Sequence, residues 1–127
     1  MADPTICIVM PTVGRNTLRR ALTSLRAQEW MPGDELLMLN DSEVTSARWM
    51  FDEFALPGRY IKTPALGSWG HGARNFALDN RLPQADLIYS LDDDDTLEPH
   101  ALAVIRSRSA ENPKRPLVCQ MVYDSPD

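Results

Sequence analysis

A chain of 127 residues, 43% hydrophobic and 24% charged, has the size of one globular domain and enough apolar residues to bury a core. Its formal net charge of -5 and pI near 4.9 weigh against nucleic acid or an acidic membrane surface as a partner. Much of that charge comes from one run, Asp92-Asp93-Asp94-Asp95.

The first residues, Met1-Ala2-Asp3-Pro4, carry no basic leader, and the apolar stretch 6–10 is too short for a signal core or a membrane span. A cytoplasmic protein is expected. Residues 5–10 (TICIVM) are β-branched and apolar, which suits a strand buried on both faces of a parallel sheet, with Pro11 ending it. After the loop Thr12-Val13-Gly14-Arg15, Asn16 or Thr17 can cap a helix whose Leu18, Ala21, Leu22 and Leu25 fall at i, i+3, i+4 and i+7. Arg19, Arg20 and Arg26 lie off that stripe, in water. Pro32-Gly33 makes a turn, residues 35–39 a second strand, and Asn40-Asp41-Ser42 a polar stop. Ala47, Met50, Phe51 and Phe54 repeat the helical spacing, Pro57-Gly58 closes that segment, and residues 59–62 form a short strand.

Residues 63–72 form a loop holding Gly67, Gly70 and Gly72, which runs into a helix over 73–80 with Phe76 and Ala77 turned inward. Residues 87–91 read as a fourth strand, 99–110 as a fourth helix with Pro99 near its first position, and 117–122 as a last strand. Cys7 and Cys119 sit in apolar strand-like runs without metal-ligand spacing, and both read as buried thiols. Strands alternating with helices predict one α/β domain over 1–127: a mostly parallel sheet flanked by helices on both faces.

In such a sheet ligands collect beyond the carboxyl ends of the strands. Pro11 and the loop after it, Asn40-Asp41-Ser42 and Asp92-Asp93-Asp94-Asp95 all belong at that edge. Adjacent carboxylates repel and resist desolvation, so the aspartate run calls for water, cationic side chains or a hard divalent cation, Mg2+ or Mn2+. The glycine loop before Ala73 suits close approach of backbone amides to an anion, although it matches neither a Walker loop nor the dinucleotide glycine pattern. A metal at the aspartates would let this acidic edge accept a diphosphate.

Taken together, residues 6–12 (ICIVMPT), Ser24-Leu25-Arg26-Ala27-Gln28, Leu39-Asn40-Asp41-Ser42, Gly72-Ala73-Arg74-Asn75 and Leu91-Asp92-Asp93-Asp94-Asp95 followed by Pro99 resemble the nucleotide-binding half of family-2 glycosyltransferases. The resemblance covers most of the chain. It implies the A-type, Rossmann-like glycosyltransferase fold and a metal-dependent inverting transferase that binds a nucleotide-diphosphate sugar, expected to be a UDP-sugar, and delivers the sugar to an acceptor hydroxyl. Carried over by position, Asp41 matches the residue that hydrogen-bonds the base, against the plainer reading of a turn or helix cap. Pro11, Thr12 and Val13 match the loop bordering the base, where Val13 replaces a common aromatic. Asp92 and Asp94 match the metal-binding ends of the DxD motif, with Asp93 near the ribose or sugar and Asp95 read as a helix cap. Arg74 matches an arginine able to approach the diphosphate or to pair with the aspartates. His71 and His100 read as solvated, and Trp30, Trp49 and Trp69 as packing residues rather than sugar platforms.

The family's general base comes from an acceptor-binding half, and neither Asp124 nor Asp127 has its context, so no catalytic residue is assigned. The alternative is a non-catalytic or incomplete module that needs another chain or segment. A sheet cut after a fifth strand would leave an open edge, which predicts self-association into a homo-oligomer. A phosphotransfer receiver would want an Asp where Met10-Pro11-Thr12 stands, and a dinucleotide oxidoreductase would want the glycine fingerprint there.

Overall fold

The computed structural model describes residues 3–67, 70–117 and 119. Four strands, β1 (Ile6–Thr12), β2 (Glu35–Asn40), β3 (Gly58–Lys62) and β4 (Leu87–Ser90), alternate with four helices, α1 (Thr17–Arg26), α2 (Arg48–Phe54), α3 (His71–Asp79) and α4 (Ala101–Glu111). All pairings are parallel, in the order β3-β2-β1-β4. The chain thus winds outward from β1 to β3 and then crosses back to lay β4 on β1's other side.

Alternation along the strands sends two sets of side chains to opposite faces. Ile6, Ile8, Met10, Leu36 and Met38 meet Leu18, Leu22 and Leu25 of α1, Met50 and Phe54 of α2, and Leu102 and Ile105 of α4. Cys7, Val9, Leu37 and Leu39 meet Ala73 and Ala77 of α3, which at i and i+4 line one side of that helix, with Ile61, Leu82 and Ala85 packed at the margin. β1 is buried at every position because helices cover it from both sides.

β1 runs through Pro11 rather than ending before it. The odd-numbered residues of β1 direct their amides and carbonyls to β4, as the bond from the Leu91 amide to the Val9 carbonyl (3.1 Å) shows. Pairing with β4 has ended at Ser90, so Pro11's missing N–H falls where no partner is needed. On the β2 side the ladder continues, with Pro11 opposite Leu39 and the Asp41 amide on the Thr12 carbonyl (2.8 Å).

Other expectations shift at element ends. Asn16 stands before α1 but makes no side-chain cap bond. Arg19 and Arg26, although exposed, lay their guanidinium groups over the Phe54 ring at 5.6 and 4.4 Å. α3 begins at His71, two residues early, and Phe76 is only half-buried, because Ala73 and Ala77 take the inward side. α4 begins at Ala101 rather than Pro99: His100 at φ +65° is left-handed and breaks any earlier turn. The buried Gln28 caps α4 instead, its Oε1 accepting from the Leu102 amide (3.0 Å). Cys7 is buried, and its thiol is raised to about 12 by burial and by Glu35. Cys119 is exposed beside Tyr89, not buried as expected. The expected last strand, 117–122, lies largely outside the described residues, as do Trp69, Asp124 and Asp127. No helix among the described residues is long and apolar enough to cross a membrane.

Candidate functional site

Asp92, Asp93, Asp94 and Asp95 form a turn just past β4, closed by the Asp95 amide on the Asp92 carbonyl (3.1 Å). Its position is set by α1. The Ser24 hydroxyl accepts the Leu97 amide at 3.1 Å, and the Gln28 side-chain Nε2 donates to the Glu98 carbonyl at 2.9 Å, so the segment leaving the turn is braced from below. That gives the Ser24 to Gln28 motif a physical role.

The four aspartates divide. Asp93, 2% exposed, turns towards the loop between β1 and α1, accepts the Thr12 hydroxyl at 2.8 Å and pairs with Arg15. Thr12 in turn accepts the Gly14 amide (3.0 Å), so one hydroxyl ties the β1 loop to the acidic turn. Asp92 leans the other way and pairs with Arg74 of α3. Asp92, Asp94 and Asp95 each offer a carboxylate oxygen, all within 4.8 Å of one another. Burial, followed by the charges of Asp94 and Asp92 and opposed by Arg20, holds the Asp95 carboxyl above its ordinary value. Asp95 is thus no helix cap: α4 starts six residues later, and the carboxylate belongs to the acidic group. Three close hard oxygens fit Mg2+ or Mn2+.

Arg74 carries a buried Nε with no hydrogen-bond partner among the described residues, while its Nη2 reaches Asp92. Such an orphaned donor is costly in a closed core and is common where a ligand is received. Gly70, at φ +88°, lets the start of α3 come down on Pro11: a Cβ there would stand 2.9 Å from the proline ring.

The opposite end of this edge is built on Asp41. It is buried and accepts three bonds, from the Thr63 hydroxyl (2.8 Å), the Leu66 amide (2.8 Å) and the Gly67 amide (2.9 Å). Asp41 is therefore no simple turn residue; it holds the glycine loop. Asn40 beneath it shapes the exit from β2, donating to the Ser42 and Thr45 carbonyls at 3.2 and 3.1 Å and accepting the Ala47 amide at 3.1 Å. Val13 is exposed between the two ends, with its carbonyl held by Thr45.

The structure thus gathers Pro11, Thr12, Val13, Asp41, Arg74, Asp92, Asp93 and Asp94 along one sheet edge. Arg15, Thr63 and Asp95 join them, and sequence reasoning had not singled these out as site residues. His71 is exposed at the head of α3, and His100 faces Glu29 away from this edge. Trp30 packs on the core and donates to the Leu25 carbonyl (2.8 Å), whereas Trp49, 58% exposed under Arg19, is not the packing residue expected.

Residues 7–127 match the family described as Glycosyl transferase family 2. Comparison with curated proteins returns no match. Among solved structures, S. aureus TarS 1-349 superposes with a TM-score of 0.74 at 17% identity, over 91% of this chain and 38% of that one. The same protein in complex with UDP-GlcNAc gives 0.73 at 18% identity, over 86% and 32%. Against S. aureus TarS itself the values are 0.70 and 14%, over 84% and 20%, so the chain spans well under half the length of these neighbours.

Proposed function

The chain belongs to glycosyl transferase family 2, and from that premise we propose that it binds a nucleotide-diphosphate sugar, with a UDP-sugar as donor, for metal-dependent transfer to an acceptor hydroxyl with inversion. The observation that carries the reading is the pairing, along one edge, of a buried acceptor at Asp41 with the carboxylate group of Asp92, Asp94 and Asp95 beside Arg74. The TarS complexes with UDP-GlcNAc and UDP lend it support.

In this reading Asp41 accepts a ring N–H of the base, which Pro11, Thr12 and Val13 border. Asp93, held by Thr12 and Arg15, lies toward the ribose or sugar. Asp92 and Asp94, with Asp95, would hold Mn2+ or Mg2+, and a bound cation supplies positive charge against the departing diphosphate. Arg74 would exchange part of its contact with Asp92 for the diphosphate, giving the orphaned Nε an acceptor. The acceptor and the general base are unassigned. A donor-binding module that needs another chain or segment for transfer is the second reading, favoured by the small share of the TarS chains that is matched. We place the protein in the cytoplasm, where its two free thiols would stay reduced, and propose self-association through an open edge of the sheet.

Calorimetric titration of UDP, with and without Mn2+, into wild type and Asp94→Ala tests the donor site. Binding that requires both the metal and Asp94 is the expected result; equal binding by Asp94→Ala, or none by the folded wild type, would sink the reading.

A further inference from the structure

Asp41 owes its orientation to a residue that carries no charge and matches no motif. Leu39 stands opposite Ile61 and Asn40 opposite Lys62, and the bond from the Thr63 amide to the Asn40 carbonyl (3.0 Å) carries this register one step further. Asp41 and Thr63 are thereby neighbours on the face shared with Leu39 and Ile61. We propose that Thr63 is a positioning residue for donor recognition: its hydroxyl, with the Leu66 and Gly67 amides, fixes the Asp41 carboxylate so that one acceptor position on Oδ2 is left for the base.

An ionised carboxylate has two oxygens and about four lone-pair positions. Asp41 Oδ1 uses both of its positions, on the Thr63 hydroxyl and the Leu66 amide, and Oδ2 uses one, on the Gly67 amide. Thr63 is 1% exposed and Asp41 7%, so bulk water does not complete the set freely. The hydroxyl also lies 3.4 Å from the Asn40 carbonyl, but its single proton goes to the nearer, charged oxygen at 2.8 Å. Among the described residues, what remains is a single acceptor with a fixed direction. Uracil, which presents a ring N–H between two carbonyls, satisfies it. Cytosine presents a ring nitrogen lone pair there and is repelled. Without the Thr63 hydroxyl, Oδ1 recovers a free position and the carboxylate loses its only side-chain anchor among the described residues. It can then turn to accept the cytosine amino group.

This inference rests on the donor-binding reading above, and the test separates the two. UDP and CDP are titrated with Mn2+ into wild type, Thr63→Val, Thr63→Ala and Thr63→Ser, with near-ultraviolet circular dichroism reporting the fold of each. We expect both hydroxyl-free variants to keep the fold and bind UDP about tenfold more weakly, the scale of one charge-assisted hydrogen bond. Their preference for UDP over CDP should narrow, and Thr63→Ser should restore affinity and preference together. Wild-type affinity and preference in a folded Thr63→Val or Thr63→Ala, or failure of Thr63→Ser to restore them, overturns the role of Thr63 and leaves the donor site standing. Absence of UDP binding in wild type overturns both.

Discussion

On one face of the sheet α1, α2 and α4 press against Ile6, Ile8, Met10, Leu36 and Met38; on the other, α3 is the one helix among the described residues and covers Cys7, Val9, Leu37 and Leu39 with two alanines, helped by Leu82 and Ala85. Beyond α3 that second face is open among the described residues, with Ile88 of β4 51% exposed. Two neighbouring carboxylates at the head of β2 record the contrast. Asp34 turns to the crowded face, where it meets Arg106 of α4 at 2.6 and 3.0 Å and accepts the Ile6 and Met31 amides. Glu35 turns to the thin face and meets Arg59 at 2.9 and 3.1 Å, together with the Gln84 amide. The first pair is sealed, with side chains 6% and 0% exposed; the second is partly wet. Asp41, Thr63 and Arg74 all belong to the thin face. A ligand needs a side that packing has left open, and the crowded face supplies the stability that allows it.

Removing one partner of the sealed pair breaks the comparison hardest. Arg106→Ala leaves Asp34 charged, buried and short of donors, and should cost about 3–5 kcal/mol in denaturant unfolding. A loss below about 1 kcal/mol would mean that the two faces are not unlike in this way. Acid acts on both pairs at once. Burial works to raise the Asp34 and Glu35 carboxyls, but the arginines and backbone amides overcome it and hold both below their ordinary 3.8 and 4.5. Their stabilisation is therefore complete above those values and is lost as pH falls from about 4.5 towards the depressed folded-state values. The urea midpoint should be flat near neutrality and drop in that window, and Glu35→Gln should remove the thin face's share of the drop. At neutral pH, Arg59→Ala should cost only about 1 kcal/mol, because water reaches the carboxylate it abandons.

The smallest effect has the opposite sign. Asp95 is held above its ordinary value, so the folded state binds its proton more tightly than the unfolded chain does, and stability falls as pH rises through that range. Asp95→Asn should raise the metal-free protein's stability by about 0.5 kcal/mol at neutral pH, with the gain gone once Asp95 is protonated. Added Mn2+ should stabilise wild type more than Asp95→Asn in thermal melts; an equal shift would remove Asp95 from the cation's ligands.

Elements such as β1 and α1 were legible because each is a run of one character: the continuous apolar TICIVM for β1, and Leu18, Ala21, Leu22 and Leu25 at helical spacing for α1. The carboxyl-end clusters followed from topology alone. What could not be read was register and facing. Thr63 looked like the first residue of a loop because only the β2–β3 register sets it beside Asp41. Asp95 looked like a cap because the left-handed His100, which delays α4, leaves no mark in the pattern. Arg106 sat unnoticed in a helix because its partner lies 72 residues away.

The order β3-β2-β1-β4 also has a consequence for how the molecule assembles. Contacts joining β1 to the head of β2 span 28 residues, whereas those joining β1 to β4 span 81. By chain entropy alone the second closure costs about 1 kcal/mol more. The acidic turn meets Thr12 across that same separation of 81 residues, so on this chain-entropy argument the acidic end of the edge is completed only once β4 has docked. A compound that binds there would act as a clasp on the last-formed seam, and protection of β4 amides from hydrogen exchange would be the first sign of it.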